Sequence, residues 1–100
     1  MPAPEDLAIT IEETSYGGRW VARTKEGPES EMTFRIRPDG ALVIVHTGVP
    51  PELEGRGIAG KLMERAIDEA REKGLKIEPR CSYVVAAFRR HPDWSDVLAA

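Results

Sequence analysis

A glycine-rich stretch near the middle of the chain joins an apolar run, residues 41–47, to a long charged and apolar segment, residues 62–73. The link reads Gly55-Arg56-Gly57-Ile58-Ala59-Gly60-Lys61. Glycines let the backbone come close to a phosphate, and the first N–H groups of a helix, with the positive end of its dipole, attract anions. The spacing therefore predicts a strand-to-helix loop that binds a phosphorylated ligand.

Two common phosphate motifs overlap these residues but fit their surroundings poorly. Gly55, Gly60 and Lys61 satisfy the nucleoside-triphosphate pattern G-x-x-x-x-G-K. That mechanism needs a Ser or Thr hydroxyl on Mg²⁺ at the next position, which is Leu62. The dinucleotide pattern G-x-G-x-x-G is also met, with Glu78 as the ribose-binding acid, but the roughly 20 residues after Glu78 are too few for the remaining βαβ units of that fold.

A third pattern agrees better with the context. The segment 54–59 reads Glu-Gly-Arg-Gly-Ile-Ala and resembles the acyl-CoA pyrophosphate loop of the GCN5-related N-acetyltransferases, Gln/Arg-x-x-Gly-x-Gly/Ala, from which Glu54 departs at the first position. Segments 76–84 and 88–94 strengthen a resemblance to the small acetyltransferase-like members of that family. It implies an α+β fold with a mixed sheet: an antiparallel four-strand meander, a long helix, a parallel fifth strand and a short C-terminal helix.

The resemblance also implies acetyl-CoA as co-substrate. Its pyrophosphate is expected on the loop's backbone N–H groups, and its pantetheine in the gap between the fourth and fifth strands, along the backbone of the fourth. The expected cofactor-binding residues are Arg56, Gly57, Ile58, Ala59, Gly60, Lys61 and Val45. Arg56 and Lys61 can add positive charge, although such side chains are often only solvated.

Three side chains are candidates for chemistry. Cys81 follows the predicted fifth strand, and the resemblance makes it a candidate nucleophile, whereas a lone cysteine is commonly a small buried apolar residue. His46 ends the fourth strand and is expected on the face shared with Leu42 and Ile44, opposite Cys81, as a base or as a core histidine. For Tyr83, the resemblance implies protonation of the leaving thiolate, as in related acetyltransferases, and the alternative is that it packs a short helix.

Several functions stay open at this point. Acetyl can move directly to an amine of a small molecule or protein, with His46 or a water as base, or through a covalent intermediate on Cys81. A different class is a CoA-binding regulatory or interaction module without turnover, because so short a chain leaves little to build an acceptor pocket.

Composition narrows the class further. One hundred residues with 41% hydrophobic and 31% charged content predict one small domain over residues 1–100. The net charge of −3 argues against nucleic acid, and no apolar run is long enough to predict a membrane span or a signal peptide. We expect a cytoplasmic monomer or weak dimer. The single cysteine excludes an internal disulfide and, with only two histidines, predicts no metal site.

Periodicity predicts the order of the elements. Alternating or apolar runs predict strands over 8–13, 19–25, 31–37, 41–47 and 75–78, and 57–73 has the apolar stripe of a helix. Gly17-Gly18 is expected to turn, 26–30 to form a loop, Gly74 to end the long helix, and Ser82 to cap a helix through Arg90. Residues 94–98 are expected to form a last strand or turn. The continuously apolar fourth strand is expected to be covered on both faces.

Overall fold

The computed structural model describes residues 4–25 and 27–99, and within them five strands form one mixed sheet in the order β1-β2-β3-β4-β5. The strands are β1 (Ala8–Glu13), β2 (Gly17–Arg23), β3 (Ser30–Ile36), β4 (Leu42–Gly48) and β5 (Ile77–Pro79). Neighbours from β1 to β4 pair antiparallel, and β5 pairs parallel to β4. The predicted architecture is confirmed.

Two α-helices and two 3-10 helices complete these described ranges. They are α1 (Ile58–Lys73), α2 (Ser82–Arg90) and the 3-10 segments Pro51–Leu53 and Pro92–Val97. Gly74, at φ +65°, ends α1 as expected, and its N–H donates to the carbonyls of Ala70 and Arg71. Leu98 then forms a single parallel bridge with Ile77 on the far side of β5. The last predicted strand or turn is therefore a 3-10 helix followed by this bridge.

One hydrophobic core lies between a face of the sheet and the helices. The buried apolar residues of both α-helices share a cluster with alternate strand residues, namely Trp20, Ala22, Met32, Phe34, Leu42 and Ile44. The Trp20 and Phe34 rings lie 4.5 Å apart between centroids, and Phe88 meets Trp94 edge to face at 5.9 Å. We call this side of the sheet the inner face.

The opposite side, the outer face, is covered in part by its own charged side chains. Arg19 and Arg23 flank Val21 on the same side of β2, and Val21 is fully buried although it does not belong to the core cluster. The two arginines form ion pairs of 2.8–3.3 Å with Glu12, Glu29 and Glu31. Exposed pairs of this kind contribute little each, so their main effect is to shield Val21 from water.

Two predictions about the strands are wrong. Gly17 and Gly18 belong to β2, and the turn is at residues 14–16. An added Cβ would lie 2.3 Å from the Phe34 carbonyl oxygen at Gly17 and 2.2 Å from that of Glu12 at Gly18, so close strand backbones explain this glycine pair. The β4 strand is not covered on both faces, because Val45 is 38% exposed on the outer face. The loop predicted over 26–30 begins at a residue outside the described ranges and ends before Ser30, which starts β3.

Glu69 stabilises the C-terminal half of α1. Its side chain is only 7% exposed, and its two carboxylate oxygens lie 2.6 Å from Lys73 Nζ and 3.3 Å from Arg65 Nη2. The hydrogen bond from Lys73 is the main reason that the pKa of Glu69 lies below its ordinary 4.5. Since the folded state lowers this pKa, the stabilisation is present at neutral pH and is lost as the pH falls below about 4.5.

We predict that Glu69→Gln lowers the free energy of unfolding at neutral pH by about 1–2 kcal/mol, because charge-assisted hydrogen bonds are lost from a mostly buried group. Urea unfolding of both proteins measures the difference, which should narrow in acid. Glu64→Gln is the control, since Glu64 and its partner Lys61 are both exposed and 3.7 Å apart. A difference that stays constant through the acid range would contradict this role for Glu69.

Candidate active site

The β4 and β5 strands separate at Ile44. They pair only from Leu42–Ile77 to Ile44–Pro79, and β5 ends there while β4 continues to Gly48. The N–H groups of Arg80 and Cys81 both donate to the Ile44 carbonyl, at 3.0 and 3.1 Å. Beyond this point the edge of β4 that faced β5 has no strand partner among the described residues, so a ligand can use its backbone groups.

Cys81 lies at this point of separation. It occupies the N-cap position of α2, with extended backbone angles, and is partly buried against the core. Its Sγ lies 3.5 Å from Thr47 Oγ1. The predicted cap, Ser82, is instead the first residue of the helix, and the N-cap residue Cys81 makes no side-chain capping bond. A thiol, a hydroxyl and a helix N-terminus therefore meet beside the free edge of β4.

A β-bulge decides which residue of β4 faces the thiol. Phe34 and Thr33 are consecutive in β3, but their pairing partners in β4 are Ile44 and His46. Val45 lies between these partners and has no pairing partner in β3. His46 consequently lies on the outer face with Thr33, and the next residue, Thr47, takes the inner position. The expectation that His46 shares a face with Leu42 and Ile44 is wrong for this reason.

Thr47 is the neighbour of Cys81 that sequence reasoning missed. Strict alternation along 41–47 places His46 inward, and a bulge leaves no mark in composition or periodicity. The exposed His46 instead lies against its own strand, where an added Cβ at Gly48 would be 3.0 Å from Nε2. Its imidazole is thus accessible from the outer face, next to the exposed Val45.

Tyr83 lies in the first turn of α2, partly buried against the core. Burial raises the pKa of its phenol above the ordinary 10.0, Arg90 opposes this, and Cys81 adds to it. A phenol with a raised pKa is protonated at neutral pH and has a proton to give. Tyr83 follows Cys81 by two residues in the chain.

The glycine loop approaches α1 through two left-handed residues. Gly55 and Gly57 have φ of +79° and +76°, and Gly57 is the N-cap. The first helical hydrogen bond runs from Lys61 N to Gly57 O at 3.1 Å. The N–H groups of Ile58, Ala59 and Gly60 therefore have no acceptor within the helix, which is the geometry of an anion site. An added Cβ at Gly57 meets no protein atom within 4 Å, so backbone conformation, not crowding, requires glycine in the protein itself.

The side chains of the loop contribute unequally. Ile58 is buried in the core, so only its backbone is available to a ligand. Lys61 is exposed, with Nζ 3.7 Å from Glu64 Oε2, and it can turn toward an anion. Arg56 is partly buried and lines an open depression with Asp6 and Lys25. No acidic residue occupies the first turn of α1.

Comparison with known proteins identifies the family to which this chain belongs. The sequence profile of the GCN5-related N-acetyltransferases matches residues 19–97. The chain belongs to the GCN5-related N-acetyltransferase family. It is also similar to the NMR solution structure of a GCN5-like protein from Staphylococcus aureus, with 28% identity over 97% of this chain and 92% of that one and a TM-score of 0.74. The fold is therefore that of the GCN5-related acetyltransferases, and family and fold together support an acetyltransferase function.

Two other properties follow from the described residues. None of their helices has the length and apolar character that crossing a membrane requires. Within the same ranges, no group of three or more His, Cys, Asp or Glu side chains is arranged to hold a metal ion.

We predict that Thr47→Val slows alkylation of Cys81 by iodoacetamide about 3- to 10-fold, because the hydroxyl can donate a hydrogen bond to the reacting thiolate. Mass spectrometry of the intact protein over time measures the rate. Thr47→Ser should keep most of the alkylation rate, and His46→Ala should change this rate less than twofold, since His46 is on the other face of the sheet. A large effect of His46→Ala with none from Thr47→Val would contradict the assignment of Thr47, and not His46, as the neighbour of the Cys81 thiol.

Proposed function

We propose that the chain binds acetyl-CoA across the free edge of β4 and transfers the acetyl group to an amine. The observation that carries this proposal is the separation of β4 and β5 at Ile44, in a sheet where the glycine loop and α1 form the connection between these two strands. Parallel strands end at the same edge of a sheet, and ligands of such folds bind beyond those ends. The free edge, the anion-binding loop and the thiol are thereby on one side of the molecule.

The proposed placement of acetyl-CoA follows from these three features. The pyrophosphate lies on the N–H groups of residues 57–60, and Lys61 and Arg56 add positive charge. The pantetheine runs along the backbone of β4 at Val45 as an added strand would. Its thioester then comes next to Cys81, which Thr47 contacts and which Tyr83 follows by two residues. The co-substrate thus uses the backbone that β5 leaves unpaired.

In the direct route, an amine attacks the acetyl carbonyl from the outer face. His46 is exposed there and takes the proton of the amine, while the bond from carbon to the CoA sulfur breaks. The departing thiolate takes a proton from the Tyr83 hydroxyl, whose raised pKa keeps it protonated until then. The bulge at Val45 suits this route, because it places the base, His46, on the outer face of the sheet and leaves Thr47, the neighbour of Cys81, on the inner face.

In the covalent route, Cys81 itself attacks. Its thiolate forms a bond to the acetyl carbon, and the bond from that carbon to the CoA sulfur breaks as Tyr83 protonates the leaving thiolate. An amine then attacks the acetyl carbon, the bond to Cys81 Sγ breaks to restore the thiolate, and the proton that the amine loses returns to the Tyr83 phenolate. The Thr47 hydroxyl at 3.5 Å and the N-terminal end of α2 both favour negative charge at that place. This route is the second candidate, and the two differ in whether Cys81 is required.

We predict that saturating acetyl-CoA raises Tm, whereas NAD or ATP with Mg²⁺ does not. At 100 times Kd the stabilisation is about 2.7 kcal/mol, which corresponds to roughly 10 °C or more for a domain of this size. Differential scanning fluorimetry measures the shift. Stabilisation by NAD or ATP alone would eliminate acetyl-CoA as the ligand.

Gly57→Ala should weaken this binding at least tenfold, because it strains the left-handed turn and adds a carbon where the pyrophosphate approaches. Gly74→Ala is the matched control, since Gly74 is also left-handed, at φ +65°, and also has no protein atom within 4 Å of an added Cβ. Both variants should lose similar stability, about 1 kcal/mol. Isothermal titration calorimetry measures the affinities, and equal values for the two variants would remove the loop from the site.

Cys81 distinguishes the two routes. The covalent route predicts one acetyl group on Cys81 after incubation with acetyl-CoA alone, detected by peptide mass spectrometry, and no turnover in Cys81→Ala. The direct route predicts no such label and retains turnover in Cys81→Ala, measured as CoA release across a panel of amines. Tight CoA binding with neither label nor transfer would instead favour a CoA-binding regulatory or interaction module.

A further inference from the structure

A second concave site lies at the other end of α1. A cavity of about 240 Å³ opens between the sheet and the C-terminal half of this helix. Its apolar lining comes from Ile11, Trp20, Phe34, Ile36, Leu42 and Leu75. Glu69, which also lines it, is 12 residues beyond Gly57, about 18 Å along the helix axis. The cavity is therefore separate from the proposed acetyl-CoA site.

Trp20 lines this cavity and carries a buried hydrogen-bond donor without a partner among the described residues. The side chain is fully buried, and its indole Nε1–H has no acceptor among residues 4–25 and 27–99. Buried donors are nearly always bonded, so each exception calls for an explanation. An acceptor brought by a molecule in the cavity would provide one.

The charged residues around the cavity indicate that such a molecule is neutral. Lys73 is bound to Glu69, and Glu69 also bonds Arg65, so these charges already satisfy one another. Glu13 lines the cavity as well and is close enough to Lys73 to raise the pKa of the lysine, after Glu69, the main cause. A charged ligand would have to compete with these pairs, whereas a neutral apolar one would not.

The size of the cavity sets the size of the ligand. An apolar cavity of about 150 Å³ stays dry and accepts benzene, so about 240 Å³ suits roughly two fused rings. Because neighbours cover Nε1, entry requires side chains at the cavity to shift. Ile11, Ile36 and Leu75 are only partly buried, which allows such movement.

We propose that this cavity binds a small, flat, neutral aromatic molecule whose single acceptor atom takes the hydrogen bond of Trp20 Nε1–H. The apolar walls supply the affinity, and the indole donor supplies the selectivity for a ring nitrogen or ring carbonyl over a pure hydrocarbon. The site is independent of the acetyl-transfer chemistry proposed above.

Quinoline and naphthalene form a matched pair of probes, equal in shape and differing in one acceptor atom. The experiment titrates each into the ¹⁵N-labelled protein at neutral pH and follows the indole N–H resonances, with Trp94→Phe identifying the signal of Trp20. We expect quinoline to move the Trp20 resonance downfield and to bind about tenfold more tightly than naphthalene, because only quinoline accepts the hydrogen bond. An unmoved Trp20 resonance with both probes, or equal affinities, would overturn the proposal.

Two variants separate the contributions of volume and donor. Leu75→Trp fills the cavity from a partly exposed position and should abolish binding of both probes. Trp20→Phe keeps an aromatic ring but removes the donor, and quinoline should then bind no more tightly than naphthalene. If Trp20→Phe does not fold, Leu75→Trp carries the test, and quinoline binding that survives it would place the ligand elsewhere and refute the site.

Discussion

The carbonyl of Ile44 is the point on which the candidate site depends. It accepts from the N–H groups of both Arg80 and Cys81, so two successive residues turn onto one acceptor and the parallel pairing ends. Pro79, the last residue of β5, has no N–H and cannot continue the pairing either. The free edge of β4, the start of α2 and the position of Cys81 all follow from this short ladder.

The position of the glycine loop is fixed from the opposite direction. Leu53 is buried in the core before the loop, and Ile58 is buried directly after it, so both ends of segment 54–57 are anchored. Two left-handed glycines complete the change of direction between these anchors. An anion site built in this way is rigid without large side chains, which suits a chain with little material to spare for binding.

Sequence reasoning predicted most of the fold because each long element has a strong period. The alternation in β3 and the apolar stripe of α1 give element type and direction, and Gly74 marks a helix end that the structure confirms. Sequence reasoning failed where contacts between residues far apart in the chain determine the local structure. Gly17 and Gly18 look like a turn, yet they lie in a strand, where the close neighbouring backbones leave no room for a Cβ. The loop residues were readable because a local motif carries them, whereas the contact between Thr47 and Cys81 depends on a bulge that only pairing with β3 reveals.

The surplus residue in β4 also affects how function is transferred between relatives. His46 and Thr47 are adjacent in sequence, and a single unpaired position determines which of them meets the thiol. In a relative whose β4 pairs regularly with β3, the histidine would lie on the inner face and the threonine on the outer face, although the similarity of the two sequences would hardly change. Alignment scores over this strand therefore say little about the reactive centre, and strand register has to be established before any residue role is carried from one member of the family to another.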